Sequence, residues 1–514
     1  MPSVCFYFQV HQPYRLKEYN FFDIGHDHYY ENEKLNREVM NKVADKCYIP
    51  TNKMMLELIK KHKGKFRISY SISGTALEQF EKYRPDVLES FVALSKTGCV
   101  EFLSETYYHS LSFIYDKKEF KRQVEKHRDL IKKYFKQSPT VFRNTELIYN
   151  NEIAKTIEDM GYKAIVCEGV DRILENRSPN FIYRSPNCHS LKTLLKNYRL
   201  SDDIAFRFSD PNWTEHPLSA TKFAGWVHSI AGNGELINLF MDYETFGEHQ
   251  WESSGIFDFL SQLPTEILSH KDFDFKTVSE VAEKYPIRDD YDAHDLTSWA
   301  DTERDLSAWL GNSMQNEAIE RIYSFKERVL ATEREDILDT WAKLLTSDHF
   351  YYMCTKFWAD GDVHKYFSPY QSPYDAYIYF MNVLTDMEYV LSELLKQKKM
   401  PNAKKNTAVD SLNINALTVA GDPNEQVTNT EVATATATYS SNLKEDVLNK
   451  VKSLAKRVSA KNSISKSSPK KVVSKEASEK KKTTSKSNVK TATGDKKIAA
   501  NKKTTKPTSK KKAR

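Results

Sequence analysis

The chain opens on an apolar run, Val4-Cys5-Phe6-Tyr7-Phe8, that breaks at Gln9 and His11. Comparable short runs recur at residues 66–72, 100–103, 140–143, 164–167 and 236–241. Each is too short for a helix and rich in β-branched or aromatic residues, the pattern of strands buried on both faces. Between them the apolar positions take helical spacing: Met54, Leu56, Leu58 and Ile59, then Phe120, Val124, Leu130, Ile131 and Phe135, then Ile153, Ile157 and Met160. The last of these patterns stops at Gly161, a common helix C-terminal signal. Strands alternating with helices predict a parallel sheet with right-handed crossovers, either an open α/β sheet or a barrel. Residues 301–397 differ, because long helical patterns at 308–329, 334–345 and 374–395 have little strand signal between them. That stretch reads as a helical cap on the strands.

Past residue 397 the pattern disappears into Lys, Ser, Thr, Ala and Asn, and low hydrophobicity with high charge predicts disorder. One short amphipathic stretch at 443–458 has the spacing of a transient helix. Charge sharpens the division. The whole chain of 514 residues has 76 basic and 70 acidic side chains, a net of +6. Residues 441–514 hold 24 basic and 5 acidic, a net of +19, which leaves 52 and 65 in residues 1–440, a net of −13. The last aromatic is Tyr439, so the acidic part can build a large core and the basic part cannot. The expected organisation is therefore 1–300, 301–397 and a disordered basic tail at 398–514. With 6 Cys and no CxxC pair, reduced thiols are expected, and the N-terminal run is too short for a signal peptide or a membrane span. A cytoplasmic protein is the expectation.

If the strands share one direction, their C-terminal ends share one rim, and reactive side chains should follow the apolar runs. They do. His11-Gln12-Pro13-Tyr14 ends the first run, Glu101 leads through Glu105 to Tyr107-Tyr108-His109, Asn144-Thr145-Glu146 ends another, and Asp242-Tyr243-Glu244-Thr245-Phe246-Gly247 a fourth. Taken singly, each is also what a core histidine or a helix N-cap supplies. Together, and interleaved with Tyr107, Tyr108, Phe246 and Trp251, they suit a sugar, whose ring faces stack on aromatics while its hydroxyls meet charged acceptors.

These segments, with Gly98-Cys99-Val100-Glu101 and the later Ser347-Asp348-His349, resemble in order the five sequence regions of glycoside hydrolase family 57. That family comprises α-amylases, 4-α-glucanotransferases, branching enzymes and related α-glucan enzymes. The resemblance covers residues 1–395 and implies an α/β fold: an incomplete (β/α)7 TIM-like barrel over 1–300, followed by an α-helical domain over 301–397 that completes the cleft. It implies a retaining reaction on α-1,4-glucans such as starch, glycogen or maltodextrin, with Glu146 as nucleophile and Asp242 as general acid/base. His11, Glu101, Glu244 and Asp348 match positions that bind glucose hydroxyls or orient the dyad. Gln12, Tyr107, His109, Phe246 and Trp251 complete the expected substrate-binding set. No cofactor or metal is expected. Two departures stand out. Arg143-Asn144-Thr145 precedes the nucleophile position where many members have aromatic residues, and Glu248-His249-Gln250-Trp251 replaces a His-Trp pair. The pattern is closer to the α-amylases than to the branching enzymes, and it leaves transfer or branching on the same dyad open.

Two rival readings remain at this level. A metal-dependent hydrolase would use His26-Asp27-His28 with His11. A non-catalytic carbohydrate- or polyanion-binding protein would rest on the tail, whose lysines fit phosphate backbones without base readout.

Overall fold

The computed structural model describes residues 2–356 and 368–398. Apart from Lys398, the predicted tail and its 443–458 stretch lie outside the described residues.

The α/β class holds. Ten strands are described: β1 (Ser3–Val10), β2 (Ile68–Ile72), β3 (Val100–Phe102), β4 (Val141–Arg143), β5 (Ala164–Glu168), β6 (Ile182–Arg184), β7 (Lys192–Lys196), β8 (Leu236–Asp242), β9 (Asp274–Phe275) and β10 (Ile287–Asp290). One sheet runs β3-β2-β1-β8 with β9 also on β1, and the other runs β10-β6-β7-β5-β4. Apart from the antiparallel β6–β7 pair, every ladder is parallel. The two sheets meet on one side through Ser104, which donates from its amide to Val141 O (3.0 Å) and accepts from Arg143 N (2.8 Å). On the other side Asn197 N donates to Asn238 O (2.9 Å), and the Asn238 side chain donates to Leu195 O (2.8 Å).

Every residue of β1 is buried, as the run predicted. Alternation sends Val4, Phe6, Phe8 and Val10 outward into the apolar cluster shared with the surrounding helices, and Cys5 and Tyr7 inward. The inward file changes character along its length. Cys5 and Tyr7 pack with Leu103, Val141, Val166, Leu194 and Phe240, whereas Gln9, two residues on, sits among polar groups. Its Oε1 accepts from Tyr7 (2.8 Å) and Ser71 (2.6 Å), and its Nε2 donates to Glu105 (3.2 Å). The interior is thus apolar at the N-terminal ends of the strands and polar at the C-terminal ends. The helix Val278–Lys284 closes the apolar end, contributing Val278, Val281 and Ala282 to the same cluster.

Helices occupy the later part of the chain, with one difference from the sequence pattern. The single run expected over 308–329 is three helices, Ser307–Leu310, Ser313–Ser324 and Lys326–Thr332. Asn312 makes the first break: its side chain accepts from Gln315 N (3.0 Å) while Gln315 Oε1 accepts from Asn312 N (3.1 Å), a capping box that starts a new helix within the apolar repeat. The helix Ser347–Tyr351 is tied to the loop after β3, since Ser347 N donates to His109 O (2.9 Å) and Thr346 Oγ1 to Tyr108 O (2.9 Å). All six cysteines are unpaired and buried. No described helix is long and apolar enough to cross a membrane.

Candidate active site

Because the strands run parallel, the residues just past their C-terminal ends converge on one cleft of about 640 Å3. Its walls include His11 and Gln12 after β1, Arg143 and Glu146 at the end of β4, Lys196 of β7, Asp242 and Glu244 at the end of β8, His109 from the loop after β3, and Asp348 from the later helices. Trp299 forms part of the same wall.

Glu146 sits in the tight turn Thr145–Leu147 with φ of +57°, and Leu147 and His109 also have positive φ (+51° each). Non-glycine residues adopt this conformation only where the surroundings enforce it. Three donors fix the carboxylate: His109 Nε2 (3.2 Å) and Ser347 Oγ (3.3 Å) on Oε1, and Trp299 Nε1 (2.8 Å) on Oε2. Burial pushes its pKa upward, but the His109 hydrogen bond, the His109 charge and Arg143 together hold it below the ordinary glutamate value. Glu146 is therefore ionised across the neutral range.

His109 owes its charge to two carboxylates. Its Nδ1 meets Glu105 Oε2 (3.0 Å) and its Nε2 meets Glu146. Burial lowers its pKa, yet the bonds to Glu105 and then Glu146 prevail and carry it up to about 9. Against its own burial, Glu105 is held down to about 2 by the same partnership. The row Glu105–His109–Glu146 is thus anion, imidazolium, anion. His11 stacks on His109 with ring centroids 3.9 Å apart. Burial and then the His109 charge lower the pKa of His11, whose ring nitrogens meet Ser73 Oγ (2.7 Å) and Asp348 Oδ2 (2.9 Å). Asp348, despite burial, is kept well below the usual carboxylate range by His11.

Asp242 behaves in the opposite way. Desolvation, and then the negative charge of Glu146, raise it to about 6, with Arg143 and Lys196 restraining the rise. Glu244 is raised further, to about 8, by burial and then by the charge of Asp242, although the Tyr48 hydroxyl donates to its Oε1. The charge of Glu146 thus acts on Asp242, and that of Asp242 acts on Glu244. Below about pH 6 the cleft therefore presents one ionised and one protonated carboxyl, an arrangement for nucleophilic attack with acid assistance.

Of the residues expected at the site, the structure gathers Glu146, Asp242, His11, Gln12, His109, Glu244 and Asp348. Four others lie elsewhere. Glu101 is at the opposite, closed end, accepting from Ser69 Oγ (3.1 Å) and Ser279 N (3.0 Å). Tyr107 donates to Glu78 (2.7 Å), with its ring beneath Lys126 (3.9 Å to the centroid) and against Gly74. Phe246 is core, packed edge-on to Phe8 (5.8 Å). Trp251 is 64% exposed and lines a separate surface depression with Gly247 and Phe257. Of the rival metal set, His28 is bound to Asp386 (2.8 Å), while the ring nitrogens of His11 are taken by Ser73 and Asp348. Sequence reasoning did not select Glu105, Arg143, Lys196 or Trp299. Glu105 had a usable signal, since it lies three residues past the end of its strand whereas Glu101 lies within it.

A family model described as Glycosyl hydrolase family 57 matches residues 5–294. A protein of Methanocaldococcus jannaschii named "Putative alpha-amylase" is 46% identical over 408 residues, covering 77% of this chain and 86% of its own length. Among solved structures, a GH57-type branching enzyme from Pyrococcus horikoshii aligns with a TM-score of 0.59 at 15% identity, covering 80% of this chain and 94% of that one. The alpha-amylase AmyC from Thermotoga maritima aligns with a TM-score of 0.50 at 14% identity, over 78% and 96%. At these identities the structural likeness speaks for the α/β fold alone.

Proposed function

Since the chain belongs to glycosyl hydrolase family 57, we propose that it cleaves α-1,4-glucans with retention, Glu146 acting as nucleophile and Asp242 as general acid and then base. The observation that carries this reading is the opposite displacement of the two carboxyls on one cleft, Glu146 held down and Asp242 pushed up to about 6. Protonated Asp242 gives its proton to the departing glycosidic oxygen while Glu146 bonds to the anomeric carbon. Asp242, now ionised, then takes a proton from water, which attacks the same carbon and releases Glu146. His109, Trp299 and Ser347 hold Glu146 in line and accept it back as a carboxylate. The 46% identical relative's name favours hydrolysis over transfer.

In this reading residues 1–300 form an incomplete (β/α)7 barrel of strands β1, β2, β3, β4, β5, β7 and β8. Support comes from their parallel ladders, the Ser104 bridge and the Asn238 contacts. Residues 301–397 form the helical domain that brings Asp348 to the cleft. Outside the described residues, the net +19 of residues 441–514 suits a salt-sensitive polyanion contact. A chain ending at residue 397 should keep its glucan activity and lose DNA binding. Products from maltoheptaose test the reaction: shorter sugars alone mean hydrolysis, while a ladder of longer sugars or new α-1,6 links would replace it by transfer or branching.

A further inference from the structure

The cleft contains a donor group that the reaction above does not use. Arg143 is fully buried at 0% exposure, and none of its three guanidinium nitrogens has a hydrogen-bond partner among the described residues. It is the last residue of β4, three positions before Glu146, and it lines the cleft. Its guanidinium carbon lies 5.1 Å from the ring centroid of Trp299, whose indole N–H holds Glu146, so the fork is braced by the same ring that orients the nucleophile. Lys196 approaches that ring too, at 5.5 Å, but its ammonium is bonded to Asp202 (2.9 Å). Of these two cations on the Trp299 ring, Arg143 is the one whose hydrogens are unplaced among the described residues. Its positive charge lowers the pKa values of Glu105, Glu146 and Asp242, so three carboxyls answer it electrostatically without accepting from it.

A buried guanidinium with empty donors is strongly disfavoured unless something in the working state supplies acceptors. The charge around it decides what that is. An anionic group would share the cation with Glu105 and Glu146, both ionised, and would be repelled, whereas a neutral hydroxyl oxygen accepts without that penalty. We propose that Arg143 is a substrate-binding residue, donating to hydroxyl oxygens of the glucose unit seated over Glu146. This rests on the α-glucan reading and names a contact within it. It also gives a role to the departure in sequence before the nucleophile, where this chain carries Arg143-Asn144-Thr145.

The test is titration calorimetry of maltoheptaose on the full chain carrying Asp242→Asn, so that binding is read without turnover, with Arg143→Met or Arg143→Lys added. The parent should bind. Arg143→Met should weaken binding by about tenfold or more, and Arg143→Lys, which keeps the charge but not the planar fork, by a smaller factor. Affinity within about twofold of the parent in a folded Arg143→Met protein would overturn the proposal. Should that variant fail to fold, Arg143→Lys decides, and unchanged affinity there overturns it. A parent that binds no maltoheptaose would instead overturn the α-glucan reading beneath it.

Discussion

Glu101 and Glu105 are four residues apart, one half-buried within β3 and the other fully buried just past it, yet they do opposite things. Glu101 faces the closed end of the strands, where neutral donors, the Ser69 hydroxyl and the Ser279 amide, are its partners. Burial dominates there and its pKa rises. Glu105 meets His109, a residue of the cleft wall, and against its own burial its pKa falls to about 2. A buried carboxyl is therefore not functional because it is buried. The neighbour's charge decides, and only at the open end is there a cation to pass that influence on to a reacting group.

The largest effects should come from the residues furthest along that relay. Glu146→Gln and Asp242→Asn should each reduce kcat on maltoheptaose by about 10^4-fold or more with the fold intact, measured alongside a circular dichroism melt. Glu105→Gln should come next, by about 10^2-fold, because it takes away the anion that keeps His109 charged and so lets the Glu146 pKa rise. Glu101→Gln should leave kcat within about twofold and cost about 1–2 kcal/mol in denaturant unfolding, the value of a disturbed buried hydrogen bond. Equal losses of activity in the two glutamine variants would erase the contrast between the two ends.

The pH profile sharpens the same contrast. Activity needs Glu146 ionised and Asp242 protonated, so kcat/KM should rise through a value below the ordinary glutamate pKa and fall through about 6. Arg143 lowers Asp242, so Arg143→Met should move the falling limb to higher pH in the activity that remains. Stability should fall on the acid side too. Glu105 is depressed in the folded state, so its contribution is present above the unfolded value and is lost as pH falls towards about 2. Glu105→Gln should flatten that loss in thermal melts. The smallest effect should be Trp251→Ala, less than about 1.5-fold on maltoheptaose turnover, since the ring lies outside the cleft.

The strands that hold the site were legible because apolar residues dominate their short runs, and the chain at and just after the ends of β1, β4 and β8 brings His11, Glu146 and Asp242 to the cleft. Strand β7 was not, because Lys192 and Lys196 bracket it. Lys192 reaches back to Tyr285 O (2.7 Å) and Lys196 is paired with Asp202, so polar residues stand where an apolar run was sought. Trp299 and Ser347 reach Glu146 from 153 and 201 residues away, contacts that no local spacing encodes. Tyr107, Phe246 and Trp251 were read as stacking platforms from their place in sequence, but which way a side chain leaves a loop depends on what the rest of the fold packs against it.

The central claim is that Glu146 takes the sugar and Asp242 handles the proton. It is tested most directly by intact and peptide mass spectrometry of the Asp242→Asn protein incubated with an α-maltosyl fluoride, whose leaving group needs no acid. The account predicts fluoride release with a maltosyl adduct on the peptide that contains Glu146. Fluoride release with no adduct on that peptide, or with the adduct on Glu244, would contradict it.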